Sequence, residues 1–358
     1  MRIEFYAAIK TAEPFLPAGT VIAREQTYVH TFYKKEATAQ QPATSKEEGN
    51  LVAFSGPDFK ATFDKQSGLL TSYLYKKHEY ILNGQGPRPF FWRAPTDNDY
   101  GANLPVRLKA WKEASYQEPK AESFQVTPGS NATTVKVTYR FPQTEARWNI
   151  TYKIYASGVI KVDNRFMAEG DQAPMIPRVG LRMQLPESFT DLTYYGRGPK
   201  ENYRDRRTSQ FIGEYAIPVK DMYEPYVRPQ ENNHRTDIYW CALTDKTQRG
   251  LLLIADRTFE LNASNYPLES MDSGDTIDNG APRTEKTHHR HLTDPLPEKM
   301  VDLFIDYRMM GVGGDDSWGA TAHEPYLIRP GKENAIEYGF SLVPFDKKED
   351  YKYLIQQY

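Results

Sequence analysis

A single cysteine, Cys241, occurs in 358 residues, which excludes an intrachain disulfide and a cysteine-based metal cluster. It sits in the apolar run DIYWCAL (237–243) and reads as a buried, inert thiol. Long hydrophobic runs are missing as well. LLLIA at 251–255 is far too short to cross a bilayer, so no membrane partner is expected. The opening MRIEFYAAIK lacks the apolar core and small-residue cleavage site of a signal peptide. The compartment, cytoplasmic or periplasmic, is therefore left open. A net charge of −2 offers no general attraction to nucleic acid. Helical periodicity is confined to LPVRLKAWKEAS (104–115) and the terminal DKKEDYKYLIQQY. Without βαβ alternation, a (β/α)₈ barrel and a Rossmann domain are both excluded.

What is present is strand. VKVTYRF (135–141), WNITYKIYA (148–156), VIKVDNRFM (159–167), LRMQL (181–185), DIYWCAL and GLLLIAD (250–256) are short β-branched and aromatic runs bounded by turn residues. Ser157-Gly158 reads as the turn of a two-residue hairpin. The pattern predicts an all-β, antiparallel sandwich. KKEATAQQPATSKEEGN (34–50) is polar and poor in aromatics, the composition of a flexible linker. The strands before it cannot close a sandwich, since an Ig-type unit needs roughly 100 residues. They read as the end of a domain whose remainder lies elsewhere. The expected division is an incomplete Ig-like β segment at 1–33, a linker at 34–49, the large sandwich at 50–344 and a C-terminal tail with helical spacing at 345–358.

Several segments carry dense chemistry. GVGGDDSW (311–318) sets a Gly-rich bend beside Asp315 and Asp316 and then presents Trp318. A Trp held beside polar groups suits a sugar ring, the indole on its C–H face and oxygens for its hydroxyls. The same octapeptide also fits a plain turn with a buried indole. FFWRAPTDNDYG (90–101) places Asp97, Asn98 and Asp99 together but lacks EF-hand spacing and a distal Glu, so it reads as a turn or interface loop before a cation site. Gly101, ahead of a helical stretch containing Arg107, fits the hinge of a moving loop. In YYGRGPKENYRDRR (194–207), Glu201 and Asp205 interleave with Arg204, Arg206 and Arg207, which favours internal ion pairs over phosphate binding. YEPYVRPQENNHR (223–235) fits an interface loop or the wall of a polar cleft. THHRH (287–291) reads as hydrogen-bonded structural histidines, because no matching carboxylate follows at ligand spacing. Hydrolysis of a glycoside needs two carboxyl groups about 5–10 Å apart across the bond, and nothing marks such a pair here.

FWRAPTDNDYG, GRGPKENYRDRR, DMYEPYVRPQENNHR, THHRH and GVGGDDSW, in this order, resemble the C-terminal, small-chain (domain 5) region of bacterial β-galactosidases of glycoside hydrolase family 2. The likeness spans about residues 50–343, and residues 4–26 look like the last strands of the preceding Ig-like domain. The resemblance implies a β-supersandwich of the galactose-mutarotase type. It implies that the catalytic glutamates and the magnesium and sodium ligands lie on domains outside this chain, which then holds no catalytic residue, cofactor or metal. Trp318 is the residue that would meet the aglycone sugar, and the loop from Gly101 to about Arg107 would move near the pocket; here ANLP departs from the family pattern. The implied partners are a catalytic TIM barrel, on the same chain or a large subunit, and a galactoside, within a homo-oligomer. Two alternatives share these features. One is the small subunit of a two-chain β-galactosidase. The other is a mutarotase-like aldose epimerase, using His288, His289 or His291 with a carboxylate. A free-standing carbohydrate-binding module fits less well, because the aromatics are dispersed along strands.

Overall fold

The computed structural model describes residues 2–28, 40–170, 174–274, 291–316, 319–329, 331, 334–347 and 349–357. The chain divides into a small unit, Met1–Ala37, and a large one beginning at Thr38. In the small unit Arg2–Ala8 pairs antiparallel with Val21–Tyr28. Alternating apolar residues end up on open faces, with Phe5 56% and Ile22 59% exposed. A two-stranded ribbon of this kind has no core of its own.

The large unit is an antiparallel β-supersandwich. Its main sheet runs, neighbour by neighbour, through Phe211–Pro218, Asp191–Gly198, Arg235–Thr244, Gly250–Ser264, Ile336–Phe345, Ile160–Ala168, Ala146–Ile154, Thr133–Phe141 and Ala121–Thr127. Alternation drives this arrangement: Val135, Val137, Tyr139 and Phe141 point inward while Lys136 and Arg140 face solvent. A five-stranded sheet, Thr44–Glu48 to His78–Glu79, carries its own inward aromatics. Phe63 meets Tyr152 edge-on at 5.0 Å. At the centre, Phe91 is ringed by Trp111, Phe141, Trp148 and Phe166 at 5.0–5.6 Å.

Besides its ladder with Arg235–Thr244, the strand Gly250–Ser264 serves two further ladders. Its ladder with Ile336–Phe345 ends at Ala255↔Phe340, and its ladder with Met300–Met309 begins at Glu260↔Asp306. Asp256 and Arg257 are exposed in the gap between them. The partner strands diverge there, opening a polar groove of ≈ 710 Å³.

Three expectations are corrected. Thr44–Glu48, inside the presumed linker 34–49, is a strand paired with Leu51–Ser55. All five of its residues are exposed, which is why its composition resembles a linker: an edge strand needs backbone partners on one side and no apolar face. The hairpin turn at Ser157-Gly158 closes on Tyr155 and Val159 (3.0 Å), leaving three residues between them instead of two. Gly158 at φ +92° supplies the positive-φ position that a three-residue turn uses. The DND segment is a short helix, Asp97–Gly101, not a turn. The helical stretch at 104–115 appears as Leu104–Arg107 and Lys109–Tyr116, and Tyr351–Gln357 is helical in the tail. Among the described residues no helix is long and apolar enough to cross a membrane.

Trp148 is fully buried and its indole N–H donates to Asn164 Oδ1 at 3.0 Å. Trp148→Ala is expected to cost about 3–5 kcal/mol in urea unfolding of the chain. Phe5→Ser, on the open ribbon, should shift the same transition by no more than about 0.5 kcal/mol.

Candidate functional site

One buried guanidinium joins two of the motifs. Thr96 caps the helix Asp97–Gly101, its hydroxyl accepting from the Asp99 amide while the Asp99 carboxylate accepts from the Thr96 amide. That capping box aims Asp99 inward, where Arg93 grips it with two bonds of 2.9 and 2.7 Å. The remaining donors of Arg93 reach the carbonyls of Met310 (2.7 Å) and Gly311 (3.1 Å). Burial opposes the charge on Arg93, but the Asp99 carboxylate outweighs it and holds the guanidinium above its ordinary range. The DND segment is thus spent on structure: Asp99 binds Arg93, and Asp97 pairs with Arg228 at 2.6 Å.

The Gly-rich bend is held from a second side. Asp205 accepts the amides of Val312 (3.2 Å) and Gly313 (2.7 Å). A Cβ on Gly311 would lie 2.6 Å from Asp205 Oδ2 and 2.8 Å from the Ala322 Cβ, so this approach favours glycine. Gly319, at φ +120°, packs on the backbone of Gly101, where an added Cβ would sit 2.2 Å from the Gly101 carbonyl carbon. Gly101 is therefore brought against the bend. Arg107 is exposed and donates to the Ala102 carbonyl at 3.2 Å, closing its own turn. Asp315 and Asp316 are exposed. Asp316 accepts the Ala320 amide at 3.1 Å and Asp315 pairs with His323 at 2.7 Å. Trp318 lies outside the described residues, as do His288 and His289. His291 is exposed, its amide donating to Asp294 at 2.9 Å.

Beneath the bend lies a buried ionic network that the sequence reading missed. Tyr203 stacks on His234, centroids 5.3 Å apart. Asn262 Nδ2 donates to Glu231 (3.1 Å) and to the Asn232 carbonyl (2.8 Å), which turns its Oδ1 toward His234 Nδ1 at 2.6 Å. The other ring nitrogen meets Glu260 at 2.9 Å, so both nitrogens face oxygen atoms. Burial works against the Glu260 charge, yet His234, Arg204 (2.7 Å) and the Met309 amide (2.7 Å) hold its carboxyl below the usual range. Arg178 bonds Asn262 at 3.0 Å and lies 3.2 Å from Asp306, an ion pair without hydrogen-bond alignment. Burial therefore dominates at Asp306 and raises its carboxyl to about 7, against the opposing charges of Arg178 and His234.

The arginines of 204–207 form ion pairs, as expected, but largely with other partners. Arg206 reaches Glu201 at 2.5 Å, Arg204 reaches Glu260 and Arg207 reaches Asp237 at 3.0 Å. Asp205 serves backbone amides instead of an arginine. The one local signal for this was the isolated acid between arginines, RDR, two positions after Tyr203.

Asp205→Ala should release the amides of Val312 and Gly313 to hydrogen exchange and cost about 1.5–3 kcal/mol, the scale of bonds to a charged acceptor. Asp306 gives a pH signature. Its native carboxyl binds a proton more tightly than in the unfolded chain, so its contribution to stability is full below about pH 4 and falls as pH rises toward about 7. Asp306→Asn stays neutral. Urea midpoints of the two proteins should diverge in favour of Asn across that window and run parallel above it.

The chain matches the family described as Beta galactosidase small chain over residues 55–342. It is 33% identical over 291 residues to a β-galactosidase of Priestia megaterium, covering 81% of this chain and 26% of that protein. It is 32% identical over 308 residues to a β-galactosidase of Lactobacillus delbrueckii subsp. bulgaricus, covering 83% and 28%. The chain thus spans less than a third of these relatives. Among solved structures it is similar to a galactose 1-epimerase from Lactobacillus acidophilus, with a TM-score of 0.47, 6% identity, and coverage of 86% and 99%. The matched residues run through the supersandwich from its second strand almost to the end of its last, and take in both halves of the Arg93 and Asp205 anchors: this chain belongs to the beta galactosidase small chain family.

Proposed function

We propose that this chain is the non-catalytic C-terminal part of a family 2 β-galactosidase and shapes one wall of its galactoside cleft. The whole enzyme would hydrolyse terminal β-galactosides such as lactose with retention. The observation that carries the reading is the construction of the bend on either side of Trp318, at 311–316 and 319–320. Arg93, Asp205 and Gly319 secure its backbone from three sides, which is the support a presented Trp318 requires. Four neighbouring carboxylates are consumed by structural partners: Asp99 by Arg93, Asp205 by amides, Glu201 by Arg206 and the Asn233 amide, and Glu260 by His234 and Arg204. That leaves the acid and the nucleophile to a barrel domain, together with any magnesium or sodium. The open ribbon at residues 2–28 supports the same view, since its exposed apolar faces call for the rest of a β domain to cover them. A barrel encoded on the same chain and a separate large subunit both fit this requirement. The complete assembly would be a homo-oligomer.

The aldose-epimerase reading needs a histidine and a carboxylate in one cleft. Among the described residues, no histidine lines the groove at the strand fork. His234 is fully buried with both nitrogens bonded.

The 358-residue chain alone should leave a nitrophenyl β-galactoside intact, and hydrolysis at enzymic speed would reject the proposal. In the complete enzyme, Trp318→Ala should weaken lactose and acceptor glucose by about 1–3 kcal/mol, the scale of a lost aromatic contact. Unchanged kinetics with both sugars would remove Trp318 from the site.

A further inference from the structure

We infer that the groove at the fork of Gly250–Ser264 is a saccharide-binding site. The inference rests on the groove's own residues and not on the role proposed for Trp318.

Its walls hold unspent hydrogen-bond donors. Asn164 is 4% exposed and lines the groove. Its Oδ1 accepts the Trp148 indole N–H, which fixes the orientation of the amide and identifies the other terminus as NH₂. That Nδ2 is buried and has no acceptor among the described residues. Arg308 repeats the pattern from the opposite strand. Its Nε is buried without an acceptor among the described residues, and its guanidinium lies 5.0 Å from the centre of the Tyr307 ring. A buried donor left unpaired costs a substantial part of its hydration, so two beneath the walls of one groove favour a small side-chain rotation that brings them to a ligand's oxygens.

The rest of the lining selects the ligand class. Asp256 and Glu337 bring carboxylates to the same walls, partly engaged by Lys161 and Arg165 and each with lone pairs to spare. An anion would meet Arg257 and Arg308 but also these acids. A hydroxyl both donates and accepts, so a polyhydroxylated ring satisfies both kinds of wall at once. Tyr307 and Tyr338, half-buried with centroids 6.1 Å apart, supply apolar surface for its C–H face. The volume, ≈ 710 Å³, falls within the range of about 300–1,000 Å³ common to small-molecule pockets. Arg204 lines the groove while its neighbour Asp205 holds the Gly-rich bend, so the two features share a segment.

The test uses the full chain with lactose and D-galactose as probes, read by saturation-transfer and side-chain amide NMR. Millimolar binding is expected, with the Asn164 side-chain NH₂ resonances shifting on lactose addition in the unmodified protein. Arg257→Ala/Arg308→Ala, checked for folding by its thermal transition, should weaken binding at least about tenfold. Trp318→Ala should leave it intact, which separates a failure of this site from a failure of the role proposed for Trp318. An unmoved Asn164 amide, binding that survives the double substitution, or binding lost in Trp318→Ala alone would each overturn the inference. Displacement of the sugar by inorganic phosphate would overturn it too, in favour of an anion site.

Discussion

The architecture of the site depends on a guanidinium held away from water. Arg93 is 2% exposed, and an ion so placed is tolerated only where its donors are matched. Asp99 takes two of its bonds and supplies the countercharge, and the Met310 and Gly311 carbonyls take two more. The consequence is geometric. A helix start at residue 96 and a Gly-rich bend more than two hundred residues later are fixed to a common point, because neither can move without stranding a buried charge. Removing either partner of such a pair is costly because it leaves the other charge buried and uncompensated.

Behind that anchor a chain of polar side chains runs through the interior: Arg204, Glu260, His234, Asn262, Arg178 and Asp306. The polar atoms are shared between segments that meet only in the fold. The partner of Asp306 is close but misaligned, so burial governs the carboxyl. The network ties the segments 199–207 and 231–235, through Arg204 and His234, to the strand Gly250–Ser264.

The strand Gly250–Ser264 supplies the second organising constraint. Fifteen residues long, it leaves one neighbour for another midway. A strand that changes partners leaves a gap between them, and here the gap is lined with charged and aromatic side chains. The short segment Arg204–Asp205 links the two features, Arg204 lining the groove and Asp205 holding the Gly-rich bend.

Much of this was legible in the sequence. Period-two alternation in residues 135–141 and 146–154 announces inward and outward faces, because strand geometry allows no other reading. The glycines of GVGG announce a bend, and at 311 and 314 an added Cβ would collide with Ala322 and with the Ala320 carbonyl. The polar edge strand Thr44–Glu48 was not legible, since a strand without a buried face carries no alternation. Nor were the pairings of Asp205 with residues 312–313, of Arg204 with Glu260, or of Arg93 with residues 310–311. Charged residues look alike along a chain, and which cation meets which carboxylate is settled by the sheet register that carries them inside. Local pattern therefore determined the elements and their faces, whereas tertiary packing alone decided the partners, since burial is what makes one pairing obligatory among many that water would allow.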